Sequence, residues 1–225
     1  MSMDRFRTLA LAVVMLAIPT SAAAHTPSVI QAQNTSPDAA VVLDDPTLSR
    51  AIGATIAEPG EIDWYRMDLH AGDPLVVGMT APDAVGSLPA TFLLMGPGLP
   101  DPAAAGPRAV DLASMAGATG VLPFQPAADP AREIHAGFGF IDYGNVTLAA
   151  PADGTYWIAV FAVDPAATGK YVLAPGVREE FGADAVAGMG DLAAFFSAPW
   201  PPDAAASPDA AASPEATHPG ASTAP

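Results

Sequence analysis

The 225-residue chain has no cysteine, a single lysine (Lys170), four histidines, and aromatic residues at only 7%. Without cysteine there is no disulfide, no thiolate ligand or nucleophile, and no lipid-modified cysteine after export. A folded core must therefore be held by burial alone. Basic residues are scarce, 8 Lys and Arg against 24 Asp and Glu, for a formal net charge of −16. Such a field repels nucleic acid and anionic membrane surfaces, which excludes both as partners. Catalytic signatures are also missing: no serine sits in a nucleophile elbow, no glycine loop cradles phosphate, and no histidines are paired at metal-ligand spacing. With so few general bases, the chain reads as non-catalytic.

No apolar run is long enough for a membrane anchor. The stretch from Leu9 to Ile18 would cover about 15 Å as a helix, half of the roughly 30 Å hydrocarbon layer. What it does fit is a secretory signal peptide over residues 1–24. Arg5 and Arg7 give the positive start, and Pro19, Thr20 and Ser21 lead into Ala22, Ala23 and Ala24. Cleavage is expected after Ala24, leaving His25 first in a secreted, periplasmic or cell-surface protein.

Residues 25–39, rich in Pro, Ser, Thr, Gln and Asn without periodicity, read as a flexible leader. At the far end, residues 199–225 read as a disordered Pro/Ala-rich tail in which Pro-Asp-Ala-Ala-Ala-Ser occurs twice in tandem, at 202–207 and 208–213. Its composition suits an extended spacer with a polyproline bias. Between the ends, short apolar runs alternate with Gly and Pro. Candidate strands lie at 51–57, 62–69, 75–79, 91–95, 137–143, 146–149, 156–163 and 170–174. Asp-Pro pairs at Asp45, Asp73, Asp101, Asp129 and Asp164 supply turns, because aspartate bonds its own backbone and proline presets the next angle. The expectation is an all-β fold, an antiparallel, jelly-roll-like β-sandwich of about eight strands over 40–177. The stretch 96–130 is too long for a bare loop and is expected to hold one or two irregular strands. Residues 178–198, with Phe181, Val186, Met189, Leu192 and Phe196, predict short helices, kept short by Gly182, Gly188 and Gly190.

The run Gly60-Glu61-Ile62-Asp63-Trp64-Tyr65-Arg66-Met67-Asp68-Leu69, followed by Ala71-Gly72-Asp73 and the apolar Leu75-Val76-Val77, resembles the opening of the bacterial pre-peptidase C-terminal domain. The closing half is similar in style, from Asp153-Gly154-Thr155-Tyr156-Trp157 to Gly169-Lys170-Tyr171-Val172-Leu173. The chain also looks like uncharacterised exported bacterial proteins that share this sandwich. What the resemblance implies is a scaffold, with no active site. On alternation alone, Trp64 and Tyr65 face opposite sides of a strand, one toward the core and one toward the surface. Tyr156, Ile158 and Val160 share one face, and Trp157, Ala159 and Phe161 the other.

Two site chemistries remain open besides a module for a protein, glycan or surface partner, expected to be monomeric. If His25 becomes the first residue, its amine and imidazole could hold copper together with His70 or His135. Calcium would look to the strand-end carboxylates Asp44, Asp45, Asp63, Asp68, Asp73 and Asp142, although turn formation explains them equally well. Asp63 is the first candidate for a structural hydrogen bond, and Trp64 or Trp157 for an exposed sugar platform.

Overall fold

The structure, a computed structural model, describes residues 25–30, 33–135, 137–180 and 182–201. The expected signal peptide and all but the first residues of the expected tail lie outside these. Among the described residues eleven strands, numbered in chain order, form two sheets. The six-stranded sheet runs, edge to edge, β1 (Thr26–Val29), β3 (Arg50–Ile56), β11 (Gly169–Pro175), β5 (Pro74–Pro82), β9 (Phe138–Ala149) and β8 (Ala131–His135). The five-stranded sheet runs β2 (Val41–Val42), β4 (Asp63–Leu69), β10 (Gly154–Ala162), β6 (Ala90–Met95) and β7 (Val121–Pro123). Pairing is antiparallel except at β1–β3 and β2–β4. The fold is therefore an all-β sandwich, with eleven strands where the sequence predicts about eight.

Alternation along the strands decides the core. Tyr65, Met67 and Leu69 of β4 and Tyr156, Ile158 and Val160 of β10 meet Leu75, Val77 and Met79 of β5 and Tyr171 and Leu173 of β11. These side chains fill the layer of about 10 Å between two packed sheets.

Both outer faces are also covered, which the sequence reading does not foresee. The stretch 96–130 carries a 3₁₀ turn at Pro102–Ala105, the helix α1 (Pro107–Ala116) and β7, where only irregular strands are expected. Ala109, Leu112 and Ala113 of α1 pack on Trp64, Leu93, Met95 and Ala159. Trp64 is in consequence as fully buried as Tyr65, both at 0% exposure, so it is not a surface platform. Trp157 stands edge-on to it, with ring centroids 6.5 Å apart.

On the six-stranded sheet, α2 (Ala183–Ser197) sets Leu192 and Phe196 against Val172. This is one helix of 15 residues, within the one or two expected, and it runs on through Gly188 and Gly190. Tertiary contact overrides propensity here: a Cβ on Gly188 would lie 2.2 Å from the Pro27 carbonyl oxygen, so glycine is what lets the helix lie on β1. The end of α2 is fastened by Lys170, 2% exposed, whose Nζ donates to the Phe195 carbonyl at 2.7 Å and to that of Ala198. Those carbonyls are left over at a helix C-terminus, where a cation is favoured.

Two further differences concern the chain path. The expected leader contributes β1, paired with β3 from Thr26↔Arg50 to Val29↔Gly53, and a 3₁₀ turn at Pro37–Ala39 capped by Ser36. The expected strands 137–143 and 146–149 are one strand, β9, whose register against β5 shifts opposite Gly78 and Thr80. Gly144, at φ 99°, absorbs the irregularity, and its N–H is held by Asp142 Oδ1 at 2.8 Å. The Asp-Pro turns form as expected at Asp45, Asp101 and Asp164, each accepting a backbone N–H two residues on. Among the described residues no helix is long and apolar enough to cross a membrane.

Candidate binding cleft

Asp63 opens β4 at an inward-facing position, so the alternation that buries Tyr65, Met67 and Leu69 also buries a carboxyl group. It is 2% exposed. Tyr171, inward-facing on β11 of the other sheet, donates its hydroxyl to Asp63 Oδ2 at 2.6 Å. Its oxygen lies 2.8 Å from the Tyr65 hydroxyl. A hydroxyl has one proton, and that of Tyr171 is committed to Asp63, so Tyr65 is the donor in the second bond. The result is a relay of three buried groups joining the two sheets. Burial pushes the Asp63 carboxyl up to about 7, the Tyr171 hydroxyl pulls it back in part, and the Glu61 charge adds to the rise. Burial likewise raises both tyrosines, far enough to keep them neutral.

Asp63 lies in the wall of a cleft of about 700 Å³ at one end of the sandwich, formed by the 33–35 segment, the β3–β4 turn and Met115 at the end of α1. Two latches shape it. Asn34, 2% exposed, accepts the Trp64 N–H on its backbone oxygen at 2.7 Å and donates its amide to the Trp64 carbonyl at 3.0 Å. The Glu61 carboxylate accepts the N–H groups of Ala57 and Glu58 at 2.7 and 2.9 Å, fixing the turn. Among the described residues, the charged groups lining the cleft are Glu58, Glu61 and Asp63, all of one sign. The oxygen Oδ1 of Asp63 has no hydrogen-bond partner among the described residues. Acceptors and amides in this arrangement can hold a ligand.

The other expected site residues lie elsewhere. His25 precedes β1 and its Nδ1 is 2.5 Å from Ser49 Oγ. His135 ends β8, the opposite edge of the same sheet. Five strand spacings, roughly 24 Å, separate those edges, whereas ligands of one metal ion sit within about 4 Å of each other. The fold therefore does not make the copper pair of His25 and His135. His70 sits in the exposed β4–β5 turn, which passes from one sheet to the other, its Nδ1 3.8 Å from Asp153 Oδ1. Among the described residues no three His, Asp or Glu side chains gather as a metal site. Four of the six calcium candidates are engaged locally: Asp45 with Thr47 and Arg178, Asp68 with Thr155, Asp73 with the His70 N–H, and Asp142 with Gly144.

No family model and no curated protein matches this chain. Among solved structures it is similar to Aeromonas hydrophila PliG, a periplasmic lysozyme inhibitor of g-type lysozyme, at 18% identity and TM-score 0.34 over 68% of this chain and 96% of that one. It is also similar to CorA, a surface-associated copper-binding protein important in Methylomicrobium album BG8 copper acquisition, at 13% identity and TM-score 0.34 over 62% of this chain and 98% of that one. Likeness of this degree bears on neither ligand nor activity.

Of the cleft residues, sequence reasoning reached Asp63, as a hydrogen-bonding group, and missed Asn34, Glu58 and Glu61. Glu61 carries a usable signal, an acid beside the Pro59-Gly60 turn. Asn34 carries none, since its role depends on meeting Trp64, thirty residues away.

Proposed function

We propose that the chain is an exported, non-catalytic β-sandwich module that binds a partner protein by taking one of its basic side chains, lysine or arginine, into the Asp63 cleft. One observation carries the reading: a buried carboxyl group, held near pH 7 and with one oxygen unpartnered, in the wall of a cleft whose charged lining is wholly acidic. Carboxyl groups kept in so unfavourable an environment cluster at functional sites. An incoming cation would favour the ionised form of Asp63, so binding would release a proton and strengthen as pH rises through about 7. Loops at the end of a rigid sandwich are also where such scaffolds carry recognition. The expected signal peptide and the resemblance to the pre-peptidase C-terminal domain support an exported module without active-site chemistry.

Arginine- and lysine-containing peptides, added to the labelled protein, should shift the amide signals of Thr55, Glu58 and Asp63. Affinity should rise between pH 5.5 and 8, and the rise should vanish in Asp63→Asn. Shifts with neutral oligosaccharides and none with the peptides would reject the reading in favour of a glycan.

A further inference from the structure

A second concavity, of about 290 Å³, lies on the five-stranded sheet between α1, β6, β7 and β10. Its floor is apolar, with Phe124, Phe161, Val163, Pro123 and Pro126. One cation borders it. The Arg108 guanidinium carbon lies over Phe161, 3.8 Å from the ring centroid, and has no carboxylate partner among the described residues. In a chain of net charge −16, a cation fixed over an aromatic ring without an anion is conspicuous.

The chain itself supplies a complementary segment and delivers it nearby. After α2, Trp200 lies over Gly86, where a Cβ would be 2.3 Å from the tryptophan Cβ. Gly86 belongs to the loop that reaches Pro89, and the Pro89 carbonyl accepts the Val163 N–H at 3.0 Å. The last described residues therefore lie against a loop whose far end, Pro89, is hydrogen-bonded to Val163 of the groove lining. Beyond them come Pro202-Asp203, Pro208-Asp209 and Pro214-Glu215, a proline–acid pair repeated every six residues. In a polyproline helix of three residues per turn, six residues are two turns, about 19 Å, so the prolines fall on one edge and the acids on the next.

We propose that this groove is the intramolecular dock of the acidic proline repeat at residues 202–215, one proline–acid pair at a time. The proline ring packs on Val163 and Pro126 beside the Arg108–Phe161 stack, as polyproline segments pack in apolar grooves, and the carboxylate pairs with Arg108. The tether places the repeat at high local concentration, and three equivalent pairs offer three registers for one groove. The inference is independent of the Asp63 cleft, which shares no lining residue with this groove.

Because the chain lacks cysteine, Ala216→Cys gives a single attachment point for a nitroxide on the full-length protein. Docking predicts selective loss of amide intensity at Thr91, Leu93, Gln125 and Val163, with β1 and β8 unaffected and no dependence on protein concentration. The loss should weaken at high salt, as a charge pair does, and in the surface variant Arg108→Gln. It should also weaken in Asp203→Asn/Asp209→Asn/Glu215→Gln, which leaves the described fold untouched. Uniform loss, no loss, loss that grows with protein concentration, or loss indifferent to the charge variants would each overturn the proposal.

Discussion

Asp63 is the residue whose energetics are easiest to test. In the fold its carboxyl keeps a proton up to about pH 7, while the unfolded chain releases it near 3.8. Between those values the folded state binds the extra proton, so the Asp63 contribution to stability is fully present below about pH 3.8 and is lost as pH rises through 7. At 1.36 kcal/mol per pKa unit, the span amounts to roughly 4 kcal/mol at most. Asp63→Asn keeps an acceptor for Tyr171 and removes the charge. Melting temperature should consequently fall less from pH 4 to pH 8 in the variant than in the parent, and the variant should melt higher at pH 8. Parallel curves would show that Asp63 does not titrate in this range. Tyr171→Phe acts in the opposite sense, depriving the carboxylate of its donor; it should cost about 1–3 kcal/mol at pH 8 and move the Asp63 titration still higher.

At the scale of the element, α2 separates packing from propensity within a single helix. Gly188 abuts the Pro27 backbone, whereas a Cβ at Gly190 would meet nothing within 4 Å. Gly190→Ala should therefore stabilise by up to about 1 kcal/mol, the usual gain of alanine over glycine in a helix. Gly188→Ala should destabilise despite the same gain, and hydrogen exchange should show α2 amides opening while β5 and β11 stay protected. The same contrast explains what was legible in the sequence. Strands β4, β10 and β11 could be read because their inward residues alternate over a full strand length. Strand β1 could not, since four edge residues paired in parallel carry no periodicity. Helix α1 did carry boundary signals, Pro107 in its first turn and Gly117 in the left-handed conformation at its end, but its apolar face is mostly alanine and reads weakly. Leu112 is the exception; Leu112→Ala should cost about 2–4 kcal/mol in a denaturant titration.

As a whole, the molecule is four layers deep, a helix on each outer face of a two-sheet core. This arrangement decided which sequence inferences held. The inner faces follow from alternation alone, so the sandwich and its core were foreseeable. The outer faces depend on segments distant in the chain, which is why alternation left open which of Trp64 and Tyr65 is core, and both are. The Asp63 relay was half visible, as an acid singled out for a structural hydrogen bond, but Tyr171, 108 positions later, shows as a partner only when the sheets are stacked. Under α2, the six-stranded sheet hides Val29, Ala51, Phe138, Phe140 and Val172. Phe196→Asp should uncover that stripe, and sedimentation should then show association of a chain otherwise kept apart by its charge.

The clamp at the end of α2 has a chemical corollary. Lys170 is the sole ε-amine in the sequence, and it is closed in by the helix it fastens. Toward an acylating reagent the folded protein should behave as though it had no lysine at all. Modification at Lys170 would then count the molecules in which α2 has lifted, giving the native chain a reporter of its own opening.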